Sequence, residues 1–343
     1  MNALKILYLG SREGTSRQRC EALRRIGHEV LAYDPVGCIR QGWLLNALHY
    51  RTGYVWAAGQ VRRQLLPWLR SQRASFDVIW VDNGEMIGAR TLRELKPLTR
   101  WLVNYNCDDP TGKRDGRRWL TLLSALPVYD LCVVVRRESE AEYPRHGARR
   151  VMRVWRSADE VAHAPRLITP EIQAKWQSQV AFVGTWMPER GPFMRELIRH
   201  GVPLSIWGNR WQKAPEWREL RGCWRGPALE GDDYAYAIQC AQINLGLLSK
   251  GNRDLHTTRS AEIPALGGLL CAERTVEHLA LYQENTEALF WRDALECSRV
   301  TKQWLENPAD LSAVAKAGRA RLAERDLWNE SVLRSVLSAL SDR

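Results

Sequence analysis

Residues 243–274 constrain the fold most. Ile243 to Leu248 is a buried-strand pattern, and a polar loop runs from Ser249 through Lys250, Arg253, Asp254 and His256 to Thr258. Arg259-Ser-Ala-Glu262-Ile-Pro-Ala-Leu reads as a short helix, Gly267-Gly268 as a tight turn, and Leu269 to Ala272 as a second buried strand. Apolar strands joined through a helix pair in parallel, in a sheet covered on both faces. The same stretch gathers charge: Lys250, Arg253 and Arg259 are cations, and Asp254 and Glu262 are carboxylates eight positions apart. Cations beside a helix N-terminus, here at Thr258, suit a phosphate, and a carboxylate one helix length further on suits sugar hydroxyls. Both groups occur in a nucleotide diphosphate sugar.

The pattern repeats along the chain. Residues 4–9 are apolar and end at Gly10, followed by a polar loop through Gly14 and Thr15, a helical pattern over 17–26 and a strand over 28–33. The loop is not G-x-G-x-x-G, so no dinucleotide is implied. Residues 41–72 read as one helical stretch. Strand patterns over 76–81, 101–105, 131–135 and 151–155 follow, the second ending in Asn106-Cys-Asp108-Asp109. A run with two prolines at 157–172 reads as a linker, with His163 packed inside it. A second series then opens: a strand over 180–183 ending at Gly184, a helix over 193–200, a strand over 203–207, a helix over 233–241 capped by Asp232-Asp233, and a strand over 288–291. The expected organisation is α/β, with an N-terminal domain at 1–156, the linker, a C-terminal domain at 173–325 and a closing helix at 326–343. With 343 residues the chain exceeds what one core holds.

Charge separates the halves. Residues 1–160 hold 27 Lys and Arg against 17 Asp and Glu, whereas the remainder holds 23 against 22. A basic surface attracts anionic lipid, acidic glycans or nucleic acid, or is a solvated face. No nucleic-acid motif is present, which disfavours that partner. In 41–72, Trp and Leu interleave with Arg51, Arg62, Arg63 and Arg70, as in an interfacial helix or, more commonly, a packed helix with snorkelling arginines. Eight scattered cysteines without a C-x-x-C pair suggest free thiols in a reducing compartment. The N-terminal apolar run is too short for a secretory leader and no stretch is long enough to span a bilayer. The expected location is cytoplasmic, with peripheral contact to an anionic inner membrane face as an option.

Glu262-Ile-Pro-Ala-Leu-Gly267 after a polar loop and before a strand resembles the retaining GT-B glycosyltransferases, and within them the CgeB-like group. That resemblance implies two Rossmann-like domains facing a central cleft and a nucleotide diphosphate sugar donor. It also implies transfer to a glycan, lipid or protein acceptor with retention of configuration, and neither metal nor cofactor. The family's two acids are spaced E-x7-E; here Asp254 stands in the first place, one methylene shorter, toward the donor sugar, and Glu262 in the second, on the ribose. Arg259, Lys250, Arg253 and Arg190, with Gly184 for close approach and His256 and Thr258 in the loop, would meet the diphosphate or a hydroxyl. Gly10, Gly14, Thr15 and Asn106 would line the acceptor side, where Asp108 or Asp109 orients or deprotonates a hydroxyl, unless Asp-Asp-Pro-Thr-Gly is only a turn. The alternative is a catalytically silent nucleotide-sugar-binding protein of the same fold.

Overall fold

A computed structural model of the chain describes residues 3–39, 42–72 and 74–341. It contains two six-stranded sheets, each wholly parallel. The first comprises β1 (Lys5–Leu9), β2 (Glu29–Tyr33), β3 (Phe76–Asp82), β4 (Thr99–Asn106), β5 (Leu131–Val134) and β6 (Val151–Arg153), ordered β2-β1-β3-β4-β5-β6. The second comprises β7 (Ser178–Val183), β8 (Leu204–Trp207), β9 (Trp224–Gly226), β10 (Ala241–Gly246), β11 (Leu270–Glu273) and β12 (Leu289–Trp291), ordered β12-β11-β10-β7-β8-β9. The central strands are buried on both faces, so they read as continuous apolar runs: Ile6 to Leu9 in β1, Val78 to Val81 in β3. This is the doubly wound α/β architecture expected from the sequence.

The chain divides into two compact units, residues 1–155 with 251–253 and 329–343, and residues 156–250 with 254–328. The last helix, Asn329–Ala339, belongs to the first unit: Leu333, Val336, Leu337 and Leu340 join Ile6, Tyr8 and Val78 in one core cluster, and Glu330 accepts from Arg25 Nε at 2.8 Å. In each sheet the strand order reverses once, between β1 and β3 and between β7 and β10. Open parallel sheets bind ligands just beyond the strand ends at such a reversal.

Several local expectations are corrected. The stretch 41–72 forms two helices, Trp43–Arg51 and Val55–Gln72, because Gly53 and Tyr54 take positive φ and break the ladder; Gln41 lies outside the described residues. The helix Gly231–Gln239 has Glu230, not Asp232, at its N-cap and no side-chain cap. Within the run 157–172, Thr169 Oγ1 caps the helix Pro170–Trp176. All eight cysteines are free thiols. No described helix is long and apolar enough to cross a membrane.

Candidate functional site

At the reversal of the second sheet, β7 ends in Val183-Gly184-Thr185. Arg190, the first residue of the helix Arg190–Arg199, donates Nη1–H to the Thr185 carbonyl at 2.7 Å, reaches the Leu247 and Leu248 carbonyls at 3.4 Å each, and lies 5.4 Å from the Phe182 ring centroid. Arg259, the first residue of the helix Arg259–Ala265, donates Nε–H to the Val183 carbonyl at 2.6 Å. Both guanidinium groups are thus held by carbonyls flanking Gly184. Carbonyl partners orient a cation without cancelling its charge, which a carboxylate would do.

Gly184 itself is tightly enclosed. A Cβ there would lie 2.6 Å from the Phe182 ring, and one on Gly208, at the end of β8, would lie 2.0 Å from the Gly184 carbonyl oxygen. That oxygen also accepts from Trp211 Nε1 at 2.9 Å. The turn between the two arginines is therefore braced from two sides.

Glu262 lies three positions beyond Arg259, on the same side of its helix. Tyr234, on the helix Gly231–Gln239, donates its hydroxyl to Glu262 Oε2 at 2.8 Å. Burial and the adjacent carboxylate push the Tyr234 phenol well above its ordinary pKa, so it stays a donor. His163 Nδ1 accepts the Asp159 N–H at 2.8 Å, which places the proton on Nε2, 3.5 Å from Glu262 Oε1. Neither Tyr234 nor His163 was expected beside Glu262. They are 28 and 99 positions away in the chain, and only the assembled fold brings them together.

Asp254 is buried, with Oδ1 3.4 Å from Arg156 Nη2. His256 is also buried: Nε2 accepts the Arg156 N–H at 3.1 Å, and Nδ1–H faces Glu277 Oε2 at 2.6 Å. These bonds make His256 a brace of the loop. Lys250 is exposed and paired with Glu273. Thr258 precedes the Arg259 helix without a side-chain cap. Beside Arg190 a cavity of about 340 Å³ is lined by Phe193, Leu247, Leu248 and Trp291 together with Lys250 and Glu273.

Arg253 clusters with the first unit. Its guanidinium binds Asp109 at 2.7 and 2.6 Å and Glu142 at 3.0 and 2.9 Å. The guanidinium holds the Glu142 carboxyl down at about 2. Two carboxylates thus oppose this one cation. Asp109 is correspondingly engaged, whereas the Asp108 side chain is half-buried and its N–H donates to Asn106 Oδ1 at 2.6 Å. Asn106 is in turn tied to the Asn83 carbonyl at 2.9 Å. Gly14 opens the helix Gly14–Arg25 at φ +53°, and Thr15 is half-buried behind it. Gly10 cannot carry a side chain, since a Cβ would meet Ser16 Oγ and the Tyr8 ring at 2.6 Å each. Beneath this loop Arg19 grips Asp82 at 2.7 and 2.9 Å, and Tyr8 donates to the same carboxylate at 2.6 Å. Among the described residues no three His, Cys, Asp or Glu side chains gather as a metal site.

A protein-family model described as glycosyl transferase-like matches residues 190–334. The chain is similar in structure to a sucrose-phosphate synthase from Thermosynechococcus elongatus, with TM-score 0.70 and 14% identity over 98% of each chain. It is also similar to HepE from Anabaena, solved in complex with UDP-glucose, with TM-score 0.68 and 11% identity over 99% of this chain and 100% of that one. A UDP-forming α,α-trehalose-phosphate synthase from Burkholderia vietnamiensis gives TM-score 0.65 and 14% identity over 99% of each chain. No curated protein is similar at a significant level. The fold is that of the GT-B glycosyltransferases.

Proposed function

We propose that the protein transfers a sugar from a nucleotide diphosphate sugar to a glycan, lipid or protein acceptor, with retention of configuration. The observation that carries this reading is the pair Arg190 and Arg259, oriented by carbonyls on either side of Gly184 and followed on one helix by Glu262. The diphosphate lies against the two guanidinium groups, and Glu262, steadied by Tyr234 and His163, accepts the ribose hydroxyls. Arg253 and Lys250, already opposed by carboxylates, are left out of the diphosphate contact. On the first unit Asp108, with Asn106 and the loop through Gly10, Gly14 and Thr15, is assigned to the acceptor.

In the reaction the acceptor oxygen forms a bond to the anomeric carbon while the bond from that carbon to the diphosphate breaks. The electron pair leaves with the diphosphate, and the acceptor proton passes to it. Charge grows on the leaving oxygen, so fixed cations favour the transition state over the ground state, and the residues proposed need no metal for that task. Eight free thiols fit a cytoplasmic setting. Kinship to the CgeB-like group rests on the Glu262 motif.

One observation favours a silent binding protein: Asp254, in the place of the acid that meets the donor sugar, is buried against Arg156. The test separates the readings. Wild-type protein and Glu262→Ala are titrated with UDP-glucose and with GDP- and dTDP-sugars, and nucleoside diphosphate release is followed. Wild type should be stabilised by at least one donor, by about 2.7 kcal/mol at a hundredfold excess over Kd. Glu262→Ala should bind it roughly 10- to 100-fold more weakly, the worth of charged hydrogen bonds. Binding without release identifies the silent protein; equal binding by Glu262→Ala removes the site.

A further inference from the structure

The first unit presents an apolar face of a kind that folded chains seldom leave in water. On the helix Trp43–Arg51, Trp43 is 79% exposed and Leu44 64%; at the start of Val55–Gln72, Trp56 is 63% exposed. Seven of the fourteen exposed large apolar side chains among the described residues fall between 43 and 56, so the exposure is one patch and not a scatter. In Trp43–Arg51 only His49 is buried. Hence the packed alternative for this helix fails, whereas Val55–Gln72 does bury Ala57, Val61, Leu65 and Leu69.

The patch is fixed in place. Thr121 Oγ1 donates to the Gly53 carbonyl at 2.5 Å and the Tyr50 hydroxyl donates to Asp115 at 2.8 Å. These bonds bring it beside the segment holding exposed Lys113, Arg117 and Leu120.

Its charge is one-sided. From residue 35 to residue 76 the chain has six arginines and no carboxylate. Trp56, Arg63 and Arg70 recur every seven positions along one helix, so they share a face, and all three are exposed. The acids that reach this region from packed elements are Glu94, paired with Arg62, and Asp115 with Glu85, both paired with Arg118. A second copy of the chain would bring the same positive charge against the patch. Indole rings settle at a bilayer interface and arginines draw anionic headgroups.

We propose that the face formed by Trp43–Arg51 and the outer side of Val55–Gln72 docks the protein on an anionic lipid bilayer. None of the residues assigned to donor or acceptor belongs to this surface, and the proposal stands whether or not that assignment does.

The test is flotation of the full chain with vesicles of phosphatidylcholine alone and of phosphatidylcholine mixed with phosphatidylglycerol. Wild type should float with the mixed vesicles and about tenfold less with the neutral ones. The pair Trp43→Ser with Trp56→Ser, and separately Arg63→Glu with Arg70→Glu, should each reduce binding by about tenfold or more. Unchanged circular dichroism in both variants would show that they still fold. Wild type remaining in the aqueous fraction with mixed vesicles overturns the proposal, as do variants that float like wild type. Self-association in sedimentation velocity that the tryptophan pair abolishes, without flotation, assigns the face to a second copy and also overturns it.

Discussion

Arg259→Ala should fold like wild type and lose about 100- to 1,000-fold in kcat, equivalent to roughly 3–4 kcal/mol of transition-state stabilisation. The argument begins with its bond. Arg259 Nε–H is donated to the Val183 carbonyl at 2.6 Å, which uses one of five guanidinium N–H groups and holds the group at the end of β7. A leaving diphosphate gains charge as its bond to the sugar breaks, so a cation already oriented there acts mainly in the transition state. Arg259→Lys should recover part of the loss, since it restores the charge but cannot reproduce the fork and its bond to Val183. Steady-state kinetics with the donor found by titration decides it. If kcat in Arg259→Ala equals that of wild type, Arg259 has no part in the chemistry.

Gly208→Ala should be the most destabilising of the substitutions considered, by about 3–5 kcal/mol, through added overpacking and backbone strain. The new Cβ would stand 2.0 Å from the Gly184 carbonyl oxygen, at a φ of +152°. Main chain cannot swing aside as a flexible side chain can. The displaced carbonyl would also lose its bond from Trp211, whose ring is fully buried. Gly201→Ala is the control: its φ is +77° but no atom lies within 4 Å, so only the conformational cost of roughly 1–2 kcal/mol remains. Urea denaturation of the two variants separates contact from strain. A Gly208→Ala midpoint equal to wild type would mean that the turn at Gly184 is not braced as described.

The parallel sheets were legible because strands buried on both faces carry unbroken apolar runs, as in Val78 to Val81 and Leu131 to Val134. The β9 strand escaped notice: it has only three residues, Trp224–Gly226, and one is an arginine. Chain spacing put Arg259 and Glu262 on one helix, where the structure has them. It could not sort the cations, because what opposes a charge is set by tertiary neighbours. Arg253 meets Asp109 and Glu142, 144 and 111 positions away, whereas Arg190 and Arg259 meet main-chain oxygens. His163 was read as linker packing for the same reason: its Asp159 contact is local, but its Glu262 contact is not. The single visible hint was a histidine four residues after an aspartate in a run with two prolines.

The most direct measurement is a crystal structure of the wild-type protein with UDP. The account predicts diphosphate oxygens within hydrogen-bond reach of both Arg190 and Arg259, beside Gly184, and ribose hydroxyls on the Glu262 carboxylate. A diphosphate bound away from those two arginines, with Glu262 still held only by Tyr234 and His163, would contradict it.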